Sequence, residues 1–331
     1  MAEYWSWNAL EELAQDALQR CGARPDVARS VARALIAAEA DGQYGHGLRR
    51  LESYCPQVKA GKVDGTAEPE LTETAGATAR VDARCGFAYP ALELAVDWLA
   101  GRTPSTGVAA AGIFHSHHCG VAGHWMERLA EKGLVGLMFA NTPSAMAPAG
   151  GTTPLFGTNP IAFAAPRGDG SPVVVDLSLS KVARGKIMAA RQKGEAIPEG
   201  WAIDKDGQPT TDPAAALAGA MVPIGDAKGA ALALMVEVLA AGLTGANFSH
   251  QASSFLDARG APPATGQLLL AFAPGALGGE GFTARMEALC EAVLSQPGTR
   301  LPGASRAEGR IAAREKGLPV DDDLIAAIRS L

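Results

Sequence analysis

The feature that most constrains this chain is a change of rhythm near residue 70. Before it, apolar residues recur every three or four positions. Leu10, Leu13, Ala14, Ala17 and Leu18 mark one stripe, and Val27, Val31 and Leu35 another. That is the spacing of helices that bury one face. From about Thr72, apolar runs of strand length alternate with helical stretches. Residues 79–82, 108–113, 135–139, 161–165, 173–176 and 268–272 read as strands. Residues 92–99, 227–243, 281–295, 307–315 and 321–330 read as helices. An α/β fold follows, with helices at both chain ends packed together. The expected division is a helical domain from 1–70 plus 307–331 and an α/β domain over 71–306. Asn8 with Glu11 is read as a capping box for the first helix, and Pro25 opens the second. A third is expected to start at the glycines flanking His46 and run toward Val58.

Composition narrows the function classes. A 47% apolar chain of 331 residues is globular, and a net charge of -6 argues against a nucleic-acid binder. Aromatics at 5% are too few for a single-strand stacking platform. No apolar run approaches the roughly 20 residues that span a bilayer; the longest, 230–243, is broken by Glu237. The stretch Met1-Ala2-Glu3-Tyr4-Trp5 has neither a basic nor an apolar segment of secretory type. Five widely spaced cysteines without a CxxC pair indicate a reduced, cytoplasmic protein. Neither nucleic acid nor membrane is expected as a partner.

Several constellations could carry chemistry. In Gly45-His46-Gly47-Leu48-Arg49-Arg50 a helix would set His46 and Arg50 on one face. That pairs a group that gives or takes protons near neutral pH with a planar carboxylate clamp. A 2-oxo, 2-hydroxy or 2-imino acid enzyme needs both; a solvated helix start is the plainer alternative. Four of six histidines lie in His115-Ser116-His117-His118-Cys119-Gly120-Val121-Ala122-Gly123-His124. Neighbours on a strand point to opposite faces, so a shared metal ion is not expected. A strand, a small-residue turn and a helix from about Ala122 would instead expose helix N–H groups to an anion. Polar loops at Asn141-Thr142-Pro143 and Gly157-Thr158-Asn159-Pro160 follow or precede strands, where binding groups gather. Asp176 ends a valine run and could hold ribose hydroxyls. Lys228 stands at a helix start, where a lysine makes sense beside a bound anion. Arg300 and Arg306 flank a Pro-Gly turn, a pattern suited to a phosphate monoester. Neither GxGxxG nor GxxxxGK[ST] is present.

Taken together, these segments resemble the malate/L-lactate dehydrogenase family, whose members do not use a Rossmann fold. The resemblance rests on the His46 motif, His117-His118-Cys119-Gly120, Met146-Ala147-Pro148-Ala149-Gly150-Gly151 and Gly157-Thr158-Asn159-Pro160. Ala183-Arg184-Gly185-Lys186, Gly200-Trp201-Ala202-Ile203-Asp204 and Pro209-Thr210-Thr211-Asp212-Pro213 add to it. Within the family, Gly245-Ala246-Asn247-Phe248-Ser249, Thr265-Gly266-Gln267 and Arg300-Leu301-Pro302-Gly303 are most similar to Δ1-piperideine-2-carboxylate/Δ1-pyrroline-2-carboxylate reductases. The resemblance implies a malate/L-lactate dehydrogenase-like fold, with a mixed, largely antiparallel sheet in a non-Rossmann cofactor domain. It implies a homodimer that uses NADPH, or NADH, on a small 2-imino or 2-oxo acid. His46 would be the proton donor or acceptor, with Arg50, Thr158 and His117 on the substrate. His118, Cys119, Gly120, Val121, Ala122, Thr142, Asp176, Leu177, Ser178, Lys228, Arg300, Pro302, Gly303, Ser305 and Arg306 would contact the cofactor. No metal is implied.

Two positions depart from the family pattern. Gly45 stands where a serine is usual, and Lys186 where the reductases' relay aspartate falls. His46 thus lacks both groups that would polarise it. A ketone needs a strong acid as the alkoxide develops, whereas a cyclic imine can enter already protonated. The expected activity is therefore NADPH-dependent reduction of a cyclic imino acid to L-pipecolate or L-proline. A 2-hydroxy acid dehydrogenase acting on malate, lactate, sulfolactate or ureidoglycolate is the second reading, and a silent nucleotide-binding protein the third.

Overall fold

A computed structural model describes residues 2–168 and 170–331. Met1, where the amino-terminal stretch read above begins, lies outside them, as does Asp169. Strand β1 (Ala2–Trp5) leads into helix α1 (Trp7–Arg20). The cap is Ser6, not Asn8: Ser6 has extended backbone, and its hydroxyl accepts from Ala9 N at 3.2 Å. Helix α2 (Pro25–Ala40) opens on its proline, as expected. The third helix does not begin at His46. Two 3-10 turns, Tyr44–His46 and Leu48–Arg50, come first, and α3 (Leu51–Lys59) follows them.

Strands β2 (Glu70–Ala75) and β3 (Thr78–Asp82) form a hairpin, and helix α4 (Ala88–Thr106) crosses over to β4 (Val108–Ser116). Helix α5 (Ala122–Ala130) then leads to β5 (Val135–Ala140), β6 (Ile161–Ala165) and β7 (Val173–Leu177). Helix α6 (Arg184–Lys193), strands β8 (Ala202–Ile203) and β9 (Pro209–Thr210), helix α7 (Pro213–Ala218) and strand β10 (Ala220–Met221) make a small subassembly. Its strands pair in the order β10-β8-β9; at two residues each, they carry no readable alternation. Helix α8 (Ala227–Val236) continues as a π-helix, Glu237–Gly242, so the helix expected over 227–243 changes pitch at Glu237. Strand β11 (Thr265–Phe272), helices α9 (Pro274–Gly278), α10 (Phe282–Leu294) and α11 (Ala304–Lys316), strand β12 (Leu318–Asp321) and helix α12 (Asp322–Ser330) complete the chain. The chain ends do meet: β12 pairs antiparallel with β1, and α12 packs on α1 and α3.

The main sheet runs β2-β3-β4-β11-β5-β6-β7. Only β3 and β4 are parallel, joined by the crossover helix that a parallel pair requires. The sheet is therefore mixed and largely antiparallel, as expected. Its central strands are buried on both faces. Met138, Ala140 and Leu269 join one core with Leu18, Ile36, Tyr54, Leu92, Ile113 and Ile328. Phe139 and Leu268 join the other, with Met146, Phe156, Ile187, Met221 and Val236. Alternate residues of one strand thus enter different cores, which is why these strands read as unbroken apolar runs.

Register gathers the site. Thr265 pairs with Ser116, Gln267 with Ala140, Phe139 with Ile161, and Ile161 with Leu177. The ends of β4, β5 and β7 and the starts of β6 and β11 therefore share one edge of the sheet. Loop 253–260 is held near it by Lys62, whose buried ammonium donates to the carbonyls of Ser254 (2.6 Å), Asp257 (2.9 Å) and Arg259 (2.8 Å). Lys62→Met removes three charge-assisted donors at once. It should cost about 1–3 kcal/mol, read as a lower urea midpoint; an unchanged midpoint would show that the loop does not depend on Lys62.

Candidate active site

Glycine decides the geometry at His46. A Cβ at Gly47 would collide with the Glu39 carboxylate. With glycine there, buried Glu39 reaches past it and accepts from Leu48 N at 2.9 Å. Burial pushes the Glu39 carboxyl above its usual range. The backbone turns at Gly47, so His46 and Arg50 stand on successive 3-10 turns rather than one helical face. Arg50 folds back, its Nε donating to Gly45 O at 2.7 Å. The two still share a site, since the Arg50 guanidinium helps depress His46.

His46 does have an orienting partner. Its Nδ1 lies 3.2 Å from His118 Nε2, with the rings stacked 5.0 Å apart and nearly parallel. His118 Nδ1 lies 2.7 Å from Tyr54 Oη, and Tyr54 Oη 2.9 Å from Tyr89 Oη. The expected absence of a polarising group at His46 is therefore corrected: His118 fills that place, and its ring is engaged there. A neutral imidazole carries one N–H, so the chain has two polarities. If Tyr54 donates to His118, His118 donates to His46 and the His46 Nε2 holds the proton as an acid. If the chain reverses, His46 Nε2 is a base.

His117 turns aside. Its Nε2 lies 3.0 Å from Gln57 Oε1, whose amide donates to Phe255 O at 3.0 Å, and its ring lies against Phe255. Tyr54, Gln57, Tyr89 and Phe255 were not anticipated from the sequence. Only Tyr54 and Gln57 offered a signal, being one and two helical turns beyond Arg50. The other histidines separate too: His115 meets Asp82 at 3.0 Å and His124 meets Asp41 at 2.6 Å. Among the described residues no group of His, Cys, Asp and Glu suits a metal ion.

The rest of the expected set lies along the sheet edge. Gly120 has φ +68°, and a Cβ there would press on the Tyr89 ring. Cys119 is buried, its thiol pushed up to about 12, and its carbonyl accepts from Trp125 Nε1 at 3.0 Å. Val121 and Ala122 begin α5, but the free N–H groups expected there are not all free. Asp176 accepts from Gly123 N at 2.9 Å, so a carboxylate of this chain already occupies that helix start. Arg306 Nη1 is 3.9 Å from Asp176, and Val174 N donates to Pro302 O at 3.1 Å. The turn at Gly303 (φ +91°) thus lies along β7, while Arg300 and Ser305 are exposed. Thr142 and Thr158 meet through their hydroxyls at 3.3 Å. Leu179 N donates to Thr158 O, and Ile224 N to Leu179 O. These bonds tie exposed Leu177, Ser178 and the start of α8 with Lys228 to the same edge.

The model of the malate/L-lactate dehydrogenase family matches residues 5–329. The (2R)-3-sulfolactate dehydrogenase (NADP(+)) of Chromohalobacter salexigens is 53% identical, over 96% of this chain and 94% of that one. The Δ1-pyrroline-2-carboxylate/Δ1-piperideine-2-carboxylate reductase of Pseudomonas putida is 41% identical, over 97% and 95%. The crystal structure of Δ1-piperideine-2-carboxylate reductase from Pseudomonas syringae superposes with a TM-score of 0.94, at 38% identity over 99% of both chains. The chain belongs to the malate/L-lactate dehydrogenase family. It is an oxidoreductase, and the family resemblance read from its motifs holds.

One property of this dehydrogenase-family site stands out physically. Arg50 Nη1 and Arg306 Nη1, from the two guanidinium groups that act on His46, are buried donors without a hydrogen-bond partner among the described residues. Buried donors in native proteins are almost always satisfied, so the arrangement is suited to an anionic ligand. Meanwhile burial first, and Arg50 next, hold His46 and His117 down to about 3 and His118 well below 6.5. Above pH 6.5 these histidines are neutral in folded and unfolded chains alike. Below it only the unfolded chain takes up protons, so stability falls as pH drops from 6.5 toward 3, by up to about 1.4 kcal/mol per pH unit for each. Urea midpoints of the ligand-free protein from pH 7.5 to 5 should show this slope, and His117→Gln should flatten it. Equal slopes would mean that His117 charges in the folded state.

Proposed function

We propose that the protein interconverts a 2-oxo acid bearing a second anionic group and its 2-hydroxy acid with NADPH, 3-sulfolactate being the reference substrate. The observation that carries this reading is that both Arg50 and Arg306 depress His46 and both keep an open buried N–H. Two guanidinium groups around one proton carrier suit a substrate with two acid groups. Lys186 agrees in charge: by the family resemblance, this lysine falls where the reductases' relay aspartate is expected. The 53% identity to a sulfolactate dehydrogenase supports the same choice.

The edge of the sheet fits a phosphorylated dinucleotide. The exposed Arg300, the exposed Lys228 and the exposed Leu177 offer charge and an apolar surface there. Thr142, Asp176, Ser178, Lys228 and the 300–305 turn would hold NADPH, which supplies hydride to the carbonyl carbon. Arg50 grips the carboxylate beside that carbon, with Thr158 against the same group. His46 Nε2 gives its proton to the developing alkoxide in reduction and takes it back in oxidation. His118 and Tyr54 keep the ring oriented in both directions, so the acid that a ketone requires is available. An anion between the two arginines also offsets the repulsion that depresses His46.

A second reading, reduction of a cyclic imino acid, draws on the same low basicity of His46, since an iminium needs little acid help. Rates with NADPH on sulfopyruvate, oxaloacetate, pyruvate and Δ1-piperideine-2-carboxylate separate the two. Sulfopyruvate should win; turnover of the imine alone would overturn the proposal. Arg306→Leu should raise KM for sulfopyruvate at least tenfold relative to pyruvate, with KM for NADPH unchanged. A loss confined to NADPH over NADH would instead place Arg306 on the 2′-phosphate.

The proposal includes a homodimer. Leu234, Val238 and Leu243 are 53%, 55% and 67% exposed along α8 and its π-helical continuation. An exposed apolar row of this kind is characteristic of an interface. Val238→Glu should shift light-scattering mass from two chains to one, and a wild type that is already monomeric would refute this part.

A further inference from the structure

We propose that Glu237 is a positioning residue that, together with the Ala233 carbonyl, fixes the Thr142–Thr158 pair by setting which way the Asn159 amide points. Glu237 begins the π-helix and is buried, 4% exposed. Oε1 accepts from Asn159 Nδ2 at 2.7 Å and from the Ser249 hydroxyl, and Oε2 accepts from Ser249 N at 2.9 Å. Among the described residues no cation pairs with it; all its partners are neutral donors. Asn159, fully buried at φ +40°, gives the second Nδ2 proton to Ala233 O at 3.1 Å and turns its other face to the site. Its Oδ1 accepts from Thr142 N at 3.3 Å. Thr142 Oγ1 in turn accepts from Thr158 N at 2.9 Å.

Polarity is what Glu237 imposes. An ionised carboxylate only accepts, whereas an amide donates on one side and accepts on the other. Facing Glu237, Asn159 must present Nδ2 to it and Oδ1 to Thr142 N. A glutamine in place of Glu237 has nearly the same shape but could give its own N–H to that contact. Asn159 then either keeps Nδ2 on Ala233 O and faces the glutamine donor against donor, or reverses and aims Nδ2 at Thr142 N. The loop carrying both threonines would lose its anchor although little volume has changed. A π-helical step at Glu237 fits this role, since such insertions re-aim one side chain within a helix and are frequent at functional sites.

This inference rests on reading Thr142 and Thr158 as cofactor and substrate contacts. NADPH binding, followed by its fluorescence, tests it without knowledge of the substrate. Glu237→Gln should weaken NADPH about tenfold, the scale of one lost buried hydrogen bond. The double variant Glu237→Gln with Asn159→Asp restores the polarity toward Thr142 N at the loss of the bond to Ala233 O, and should recover most of the lost binding. In it the new amide donates across the contact, and the new carboxylate accepts from Thr142 N. Asn159→Asp alone, which sets two carboxylates against each other, should be worse than either. A merely structural role predicts no such rescue. Equal binding by wild type and Glu237→Gln, or a double variant weaker than Glu237→Gln, would overturn the proposal. If Glu237→Gln does not fold, the double variant decides alone: binding within about threefold of wild type supports the proposal, and a loss of about tenfold or more overturns it. A wild type that binds neither NADPH nor NADH would instead sink the reading of the site.

Discussion

The site depends on β11 pairing between β4 and β5. Strand β11 lies far later in the chain than either, and β4 and β5 do not touch each other in the sheet order. Strand β11 runs antiparallel to both, so β4 and β5 point the same way and end at the same edge. The histidine run that follows β4 and the threonine loop that follows β5 are neighbours for that reason alone. Asn141 reinforces it: its Oδ1 accepts from Gly266 N at 2.9 Å, at the start of β11. Gly266 has no room for a side chain, since a Cβ would strike Ala240 O. The central strand thus joins the His46 side of the site to the Glu237 side.

Burial on both faces of the sheet has a chemical consequence. His117, His118, Tyr54 and Tyr89 are out of water, where a charged imidazole is costly. The site therefore holds neutral groups linked by hydrogen bonds, and keeps its fixed charge on arginines, which cannot give up a proton. Proton handling and anion binding fall to different residues. Binding of an anion can then alter His46 without either arginine changing its own state.

The sequence was most legible where burial is symmetrical. Residues 161–165 coincide with β6, and 173–176 fall one residue short of β7, because a strand covered on both faces is a plain apolar run with polar turns around it. Legibility failed where a contact comes from far along the chain. Helix propensity around His46 is outweighed by Glu39, whose carboxylate needs the gap at Gly47. The start of α5 looked open because Asp176, which fills it, lies more than fifty residues later. His118 could be seen as a histidine but not as the partner of His46, seventy-two positions away. Two-residue strands and the π-helical step have no periodicity of their own to display.

On sequence alone, the missing relay groups at Gly45 and Lys186 point to a substrate that needs little acid. The geometry shifts the weight the other way. Gly45 contributes its carbonyl to Arg50, and the orienting task passes to His118 and Tyr54, which reach His46 from β4's loop and from α3. A lysine in place of a relay aspartate then need not be a lost function. On the proposed reading, with the proton carrier supported elsewhere, a cation at that position fits a substrate with one more anionic group than an imino acid has. The same backbone can thus serve a ketone or an imine, according to which side chains orient the histidine and which meet the far end of the substrate.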